Sequence, residues 1–276
     1  MMQELKYKNF EEPGLKNIEP ARLDIYRVSV SYGTFNALDN ITFSVNHGER
    51  VAVIGPNGAG KSTLFKTLIG LIRPAQGRIL IHGQPLGHHF DCVAYIPQRE
   101  DVDWMFPVTV KDVVGMGRYS KSRKIKRRPK QGDIIAVKKS MGHMDITSLA
   151  DRPISDLSGG QQQRVFIARA LAQEPHVFLM DEPFNGIDVI TSDIIWALLD
   201  KLKQEKVTVL IATHDLNLAA QRFDSAILLN KKIISYGKPG KVFTKENLLE
   251  AYGQQILHIG NSIIADQCCP GKNNKL

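Results

Sequence analysis

Val51-Ala-Val-Ile-Gly-Pro-Asn-Gly-Ala-Gly-Lys-Ser62 passes from an apolar run through a glycine-rich turn into a helical pattern. A short run with no polar alternation suits a central parallel strand, buried on both faces. The turn, Gly55-Pro56-Asn57-Gly58-Ala59-Gly60-Lys61-Ser62, fits G-x-x-x-x-G-K-[ST] in the strand–loop–helix setting that this pattern requires. Its glycines let backbone N–H groups wrap a β-phosphate. Lys61 places a charge on the β- and γ-phosphates, and Ser62 offers an oxygen to Mg²⁺.

Other segments fit around this one. Lys61 to Ile72 has helical spacing, with Leu64 and Leu68 on one row and Phe65, Ile69 and Ile72 on the next, and it stops before Arg73-Pro74. Val177 to Met180 and Val207 to Ala212 read as further buried strands, while Leu23 to Tyr32 and Ile41 to Val45 alternate like antiparallel strands with one wet face. Ala226 to Leu229 and Lys232 to Tyr236 have strand character. Between Arg99 and Asp156 the strand signals fade, and Val108 to Met116 and Ile134 to Met141 look helical. Thr244 is placed to cap a last helix from about Lys245. The expected architecture is α/β, with an antiparallel β part and a helical insertion.

Several polar residues stand where open α/β sheets collect ligands, just beyond strand ends. Asp181-Glu182 closes the run 177–180. An aspartate there suits holding Mg²⁺ through water, and the glutamate suits polarising an attacking water. Gln98 ends Tyr95-Ile-Pro-Gln98, and His214 ends Ile211-Ala-Thr-His214. Either is structural or senses the γ-phosphate, Gln98 through Mg²⁺ and water, His214 by a direct hydrogen bond. Tyr32, before Gly33, either packs in the core or stacks on a base. Finally, Leu157-Ser-Gly-Gly-Gln-Gln-Gln-Arg164 brings small residues and a hydroxyl to the start of a helix read from Gly160 to Gln173. The positive end of that helix is a second anion-seeking surface.

The chain has 276 residues, 43% hydrophobic and 23% charged, enough for a sizeable single core. No run approaches the roughly 18 apolar residues of a membrane span. Met1 to Asn17 lacks the apolar centre of a signal peptide, so a cytosolic protein is expected. Net charge is +8, and seven of the ten residues from Lys121 to Lys130 are basic. That run is either a solvated loop or a contact for an anionic membrane surface or a partner's acidic loop. Cys92, Cys268 and Cys269 lack the spacing of a zinc site or a disulfide framework. His88-His89 with Cys92 has no second ligand cluster in the sequence, so no metal site is expected there.

Taken in order, these elements resemble the ATP-binding cassette (ABC) ATPases over roughly residues 23–240. The correspondence is Walker A at 55–62, Gln98 as the Q-loop, Leu157 to Gln161 as the signature, Walker B ending in Asp181-Glu182, Asp188 as the D-loop and His214 as the switch histidine. The resemblance implies a P-loop NTPase (RecA-like) core over 23–240 with a helical subdomain inserted at about 99–157. A tail at 1–22 and a C-terminal helix and tail at 241–276 flank it.

It further implies MgATP hydrolysis by a head-to-tail pair of cassettes. Gly55, Pro56, Asn57, Gly58, Ala59, Gly60, Lys61, Ser62 and Thr63 would hold the phosphates of one ATP, with Tyr32 on its adenine. Ser158, Gly159, Gly160 and Gln161 would close on that ATP from the second subunit. Ser62, Gln98 and Asp181 would serve Mg²⁺. Glu182 would act as base with Lys61, Gln98 and His214 beside it, and Asp188 would link the two sites.

Arg99 to Tyr119, with Asp103-Trp104 and Asp112-Val-Val114, is similar to the ATPases of manganese, zinc and iron uptake systems. Phe106-Pro-Val-Thr-Val110 also occurs in siderophore, haem and cobalamin import ATPases. The implied partners are a second, identical ATPase, a multispanning permease and, indirectly, an extracytoplasmic metal-binding protein. The implied place is the cytoplasmic face of the inner membrane. Trp104 and Phe106 lie either in the helical core or where a permease helix docks. A nucleic-acid or ribosome-acting ABC ATPase would need a second cassette or a long coiled coil, and the sequence has neither, so no nucleic acid is expected.

Overall fold

The computed structural model of the chain describes residues 23–86, 92–98, 102–119, 130–253, 256–259 and 262–265. The tail at 1–22, His88, His89, Cys268, Cys269 and the basic run except Lys130 lie outside the described residues.

β1 (Leu23–Tyr32) and β2 (Phe35–Val45) pair antiparallel, and Tyr32 faces Phe35 across a tight turn in which Gly33 has φ 58°. β2 therefore begins six residues before the expected strand at Ile41. β3 (Arg50–Ile54) feeds the glycine-rich loop and α1 (Lys61–Leu68). The expected helix to Ile72 ends early because Gly70 turns left-handed at φ 76°. The Gly70 and Leu71 N–H groups then close on the Thr67 and Lys66 carbonyls at 3.0 and 2.9 Å, the paired bonds of a Schellman stop.

β4 (Gln76–Ile81) and β5 (Gln84–Pro85) complete a sheet of order β2-β1-β4-β5, antiparallel throughout. After β6 (Val93–Ile96) come α2 (Val110–Met116), α3 (Gln131–His143) and α4 (Gly159–Ala172). β7 (Val177–Asp181), α5 (Val189–Gln204), β8 (Thr208–Ala212), α6 (Leu216–Arg222), β9 (Ser225–Asn230) and β10 (Lys232–Gly237) follow. The chain continues through α7 (Pro239–Val242), α8 (Lys245–Tyr252) and the hairpin β11 (Ile256–Ile259) and β12 (Ser262–Ala265). Thr244 caps α8, its hydroxyl accepting from Asn247 N–H at 3.3 Å.

The second sheet has the order β10-β9-β3-β8-β7-β6. β9, β3, β8, β7 and β6 run parallel, and β10 is an antiparallel edge. Its strands alternate between two cores. Val51, Val53, Val177, Leu179, Leu210, Ala212, Ile227 and Leu229 face α1 and the antiparallel sheet, packing with Leu64, Phe65 and Leu68. Ala52, Ile54, Phe178, Met180, Val209, Ile211, Ala226 and Leu228 face the helices, packing with Val113, Val165, Ile167, Ile195 and Leu199. Both faces are thus buried, which explains why these strands read as unbroken apolar runs. The two anion-seeking elements of the sequence fall on opposite faces, since α1 belongs to one core and α4 to the other.

Candidate nucleotide site

The glycine-rich loop is held in place by its own fold. Gly58 and Gly60 have φ 78° and 99°, left-handed values that a side chain disfavours. A Cβ on Gly60 would lie 2.7 Å from the Ala37 carbonyl oxygen, and one on Gly55 would lie 2.0 Å from that of Leu229. Ala59 is pinned from the other side, its carbonyl accepting from Lys231 N–H at 2.8 Å.

Inside this cradle Lys61, 7% exposed, donates to the Gly55 and Pro56 carbonyls at 2.8 and 3.2 Å. Burial pulls its ammonium below the usual lysine value, while Glu182 and Asp181 pull the other way. The first turn of α1 adds N–H groups with no partner inside the helix, at its positive end.

Asp181 ends β7 at the carboxyl end of the parallel sheet, 1% exposed. Ser62 hydrogen-bonds to it, and Tyr95 Oη reaches its Oδ2 at 3.5 Å. Its Oδ1 is buried without a hydrogen-bond partner. Burial pushes the carboxyl group up, Glu182 adds to the push, and Ser62 and Lys61 oppose it. A buried, half-satisfied carboxylate beside a serine hydroxyl is what a hard divalent cation completes. The set therefore fits MgATP, with the cradle and Lys61 for phosphate and Ser62 with Asp181 for the cation.

Glu182 has φ 50°, a left-handed turn that directs the chain out of the strand, and its N–H donates to the Ala212 carbonyl at 3.0 Å. That bond ties the end of β7 to the end of β8, which leads to His214. The His214 Nδ1 lies 3.7 Å from Glu182 Oε2, close but outside hydrogen-bond reach. Gln98 lies two residues beyond β6, whose Ile96 pairs with Met180, so it borders the same carboxyl end half-buried.

Tyr32 is 51% exposed, so the core-packing alternative fails. Its hairpin partner Phe35 holds Lys231 Nζ 4.7 Å from its ring centroid, and Lys231 is the residue bonded to Ala59. The hairpin tip thus flanks the glycine-rich loop.

The second anion-seeking surface is elsewhere. Ser158 caps α4, which begins at Gly159 and ends at Ala172. Its hydroxyl accepts from Gln161 N–H at 3.4 Å, and its own N–H donates to Gln161 Oε1 at 3.0 Å. This is a capping box, which S-x-x-Q in the octet already encodes. It gives Gln161 a part within its own helix that reading it only as a ligand contact had missed. Gly160 is packed against α5: a Cβ there would meet Thr191 Oγ1 at 2.5 Å and Asp188 Oδ2 at 2.6 Å. Asp188 in turn caps α5, accepting from Thr191 N–H and Oγ1 at 2.8 and 3.0 Å, and these bonds lower its pKa. The turn at Ser158 to Gly160 and Asp188 are therefore one packed unit, with Gly160 against a residue 28 positions away, a contact that no spacing rule reveals.

In the helical part, Trp104 packs edge-on against Phe166 with ring centroids 4.9 Å apart, whereas Phe106 and Met105 are 55% and 80% exposed. Among the described residues no helix is long and apolar enough to cross a membrane.

The ABC transporter family pattern matches residues 38–185. The chain is 43% identical to the manganese transport system ATP-binding protein MntB of Bacillus subtilis, covering 90% of this chain and 98% of that protein. It is 42% identical to the zinc transport system ATP-binding protein TroB of Treponema pallidum, covering 83% and 86%. Among solved structures, it is similar to a dimeric ATP-binding cassette in a post-hydrolysis state with ADP and phosphate bound. That match has TM-score 0.68 and 27% identity, covering 79% of this chain and 98% of that one.

Proposed function

The chain belongs to the ABC transporter family and is one of its ATPases, and from that premise we propose that it powers a membrane importer of divalent metal ions, manganese foremost. The observation that carries the cargo is the end-to-end likeness to manganese system ATPases, 43% over nearly the whole relative. Asp103-Trp104 and Asp112 to Val114 belong to the same segment. Residues 23–240 form the ATPase unit, with the helical part at 99–157 inserted and 241–276 appended. It works at the cytoplasmic face of the inner membrane, against a multispanning permease served by an extracytoplasmic metal-binding protein. The exposed Met105 and Phe106 offer that permease an apolar contact.

The chemistry follows from the residues brought together. The residues 55–63 and the ammonium of Lys61 hold the phosphates, while Tyr32 stacks on the adenine. Ser62, Gln98 and Asp181 hold Mg²⁺, which supplies charge neutralisation on the phosphates when bound. Glu182 orients the attacking water and takes its proton, a contribution of about 10²–10⁴-fold for a positioned base. His214, beside it, donates to the γ-phosphate.

One chain presents its glycine-rich loop and its signature turn on opposite faces of a sheet. A second copy, head to tail, brings Ser158, Gly159, Gly160 and Gln161 to the first copy's ATP. The packing of Gly160 on Asp188 lets each site report its closure to the other through α5.

The cargo is tested by uptake of labelled manganese, zinc and iron in cells with and without this subunit. Loss of manganese uptake is expected on deletion. Unchanged uptake of all three would remove the proposal.

A further inference from the structure

A second constellation lies at the other end of the parallel sheet, away from every residue assigned to ATP. His82, Cys92 and His176 place one imidazole nitrogen or thiol sulfur each within 4.8 Å of the others. His82 Nε2 and His176 Nδ1 are 3.0 Å apart. Two nitrogens on a tetrahedral zinc ion stand about 3.3 Å apart, given Zn–N bonds of about 2.0–2.1 Å. As the rings stand the two nitrogens share a hydrogen bond, at a separation close to that of two ligands of one ion.

The backbone explains how three residues so far apart in sequence meet. Cys92 and His176 immediately precede β6 and β7, which pair parallel with Val93 opposite Val177. His176 N–H donates to the Cys92 carbonyl at 2.8 Å, so the ladder extends to this pair. Both stand just outside the strands, at the amino end of the sheet, and Cys92 packs against the core shared with the antiparallel sheet. His82 arrives from the antiparallel sheet, at the turn between β4 and β5. His82 and Gly83 have φ 51° and 72°, the two positive values of a type I′ hairpin turn. The usual Asn or Asp of such a turn is here an imidazole. His47 stands behind, its ring centroid 5.9 Å from that of His82.

We propose that His82, Cys92 and His176 form a binding site for a zinc-class divalent cation, with water in the fourth position, separate from the ATP site. Thiolate and imidazole ligands favour zinc over manganese, which prefers carboxylate and water oxygens. The site therefore discriminates against the cargo favoured above, and it does not rest on that reading. Its ligands come from both sheets, so the bound ion ties the antiparallel subdomain to the parallel core.

The test uses the full chain carrying Cys268→Ser and Cys269→Ser, titrated with Co²⁺ and followed by the thiolate-to-cobalt charge-transfer band. One equivalent should raise the band, Zn²⁺ should displace it, and Mn²⁺ at the same concentration should not. Cys92→Ser should abolish it. His82→Asn, which keeps a residue that tolerates the left-handed turn, and His176→Gln should each weaken binding by about tenfold or more. Zn²⁺ should raise the thermal midpoint of the parent by several degrees and leave Cys92→Ser unmoved. Absence of the band overturns the proposal. So does a band that survives His82→Asn and His176→Gln but is lost in His88→Ala or His89→Ala, which would place the thiolate in another ligand set.

Discussion

The glycine-rich loop and the signature turn are both small-residue turns that open a helix, yet they are built differently. The first is enclosed: Gly55 and Gly60 touch the backbone of β9 and β2, and Lys61 is buried on the carbonyls of its own loop. The second is satisfied along its inner side and bare along its outer side. Its Gly160 packs on α5, and its Ser158 and Gln161 close a capping box while Ser158 stays exposed. A turn that encloses its ligand position acts within one chain. A turn that braces its back and offers its front needs something brought to it, and this is the structural argument for the proposed site shared by two copies.

The comparison can be broken at either turn. The largest effect belongs to the chemistry beside the first. Glu182→Gln should lower ATP turnover by about 10²–10⁴-fold while ATP binding persists and ATP-dependent dimers accumulate, as read by steady-state hydrolysis and sedimentation. Near-normal turnover would remove Glu182 as the base. Next is the cradle itself. Gly60→Ala puts a Cβ 2.7 Å from the Ala37 carbonyl at φ 99°, and should lower the stability of the single chain by about 1–3 kcal/mol. A thermal midpoint equal to that of the parent would show the loop is not enclosed as described.

The smallest effect falls on the second turn. Ser158→Ala loses a helix cap and should cost about 1 kcal/mol, seen as a midpoint a few degrees lower. Its affinity for ATP, measured on the nucleotide-free monomer, should match that of the parent. A weakened monomer affinity would mean that the signature serves its own chain, and the contrast between the two turns would dissolve.

Much of the enclosed region was legible in the sequence, because its determinants are local. The run Val51 to Ser62 carries its strand, its glycines and its helix start in consecutive residues. Asp181-Glu182 likewise follows a strand directly. Two of the boundaries that differed moved through local devices as well: Gly70 stops α1 before Ile72, and Thr109 caps α2 at Val110 instead of Val108.

What stayed hidden depends on pairing between distant strands. Neither the contact of Gly160 with Asp188 nor the gathering of His82, Cys92 and His176 leaves a spacing pattern. Each is created only when β6, β7 and the helices beside them are laid side by side. The sequence drew attention to His88 and His89 as the neighbours of Cys92, whereas the ligands facing it come from a hairpin turn and from the next strand.

The shared site is tested most directly by mixing two inactive chains. Lys61→Ala and Ser158→Arg should each be nearly inactive alone, since every site in either homodimer lacks one half. A mixed dimer keeps one complete site, built from the loop of the Ser158→Arg chain and the signature turn of the Lys61→Ala chain. An equal mixture should therefore recover about a quarter of parental turnover under random two-fold pairing. If the mixture stays as inactive as its components, the site lies within one chain and the account is contradicted.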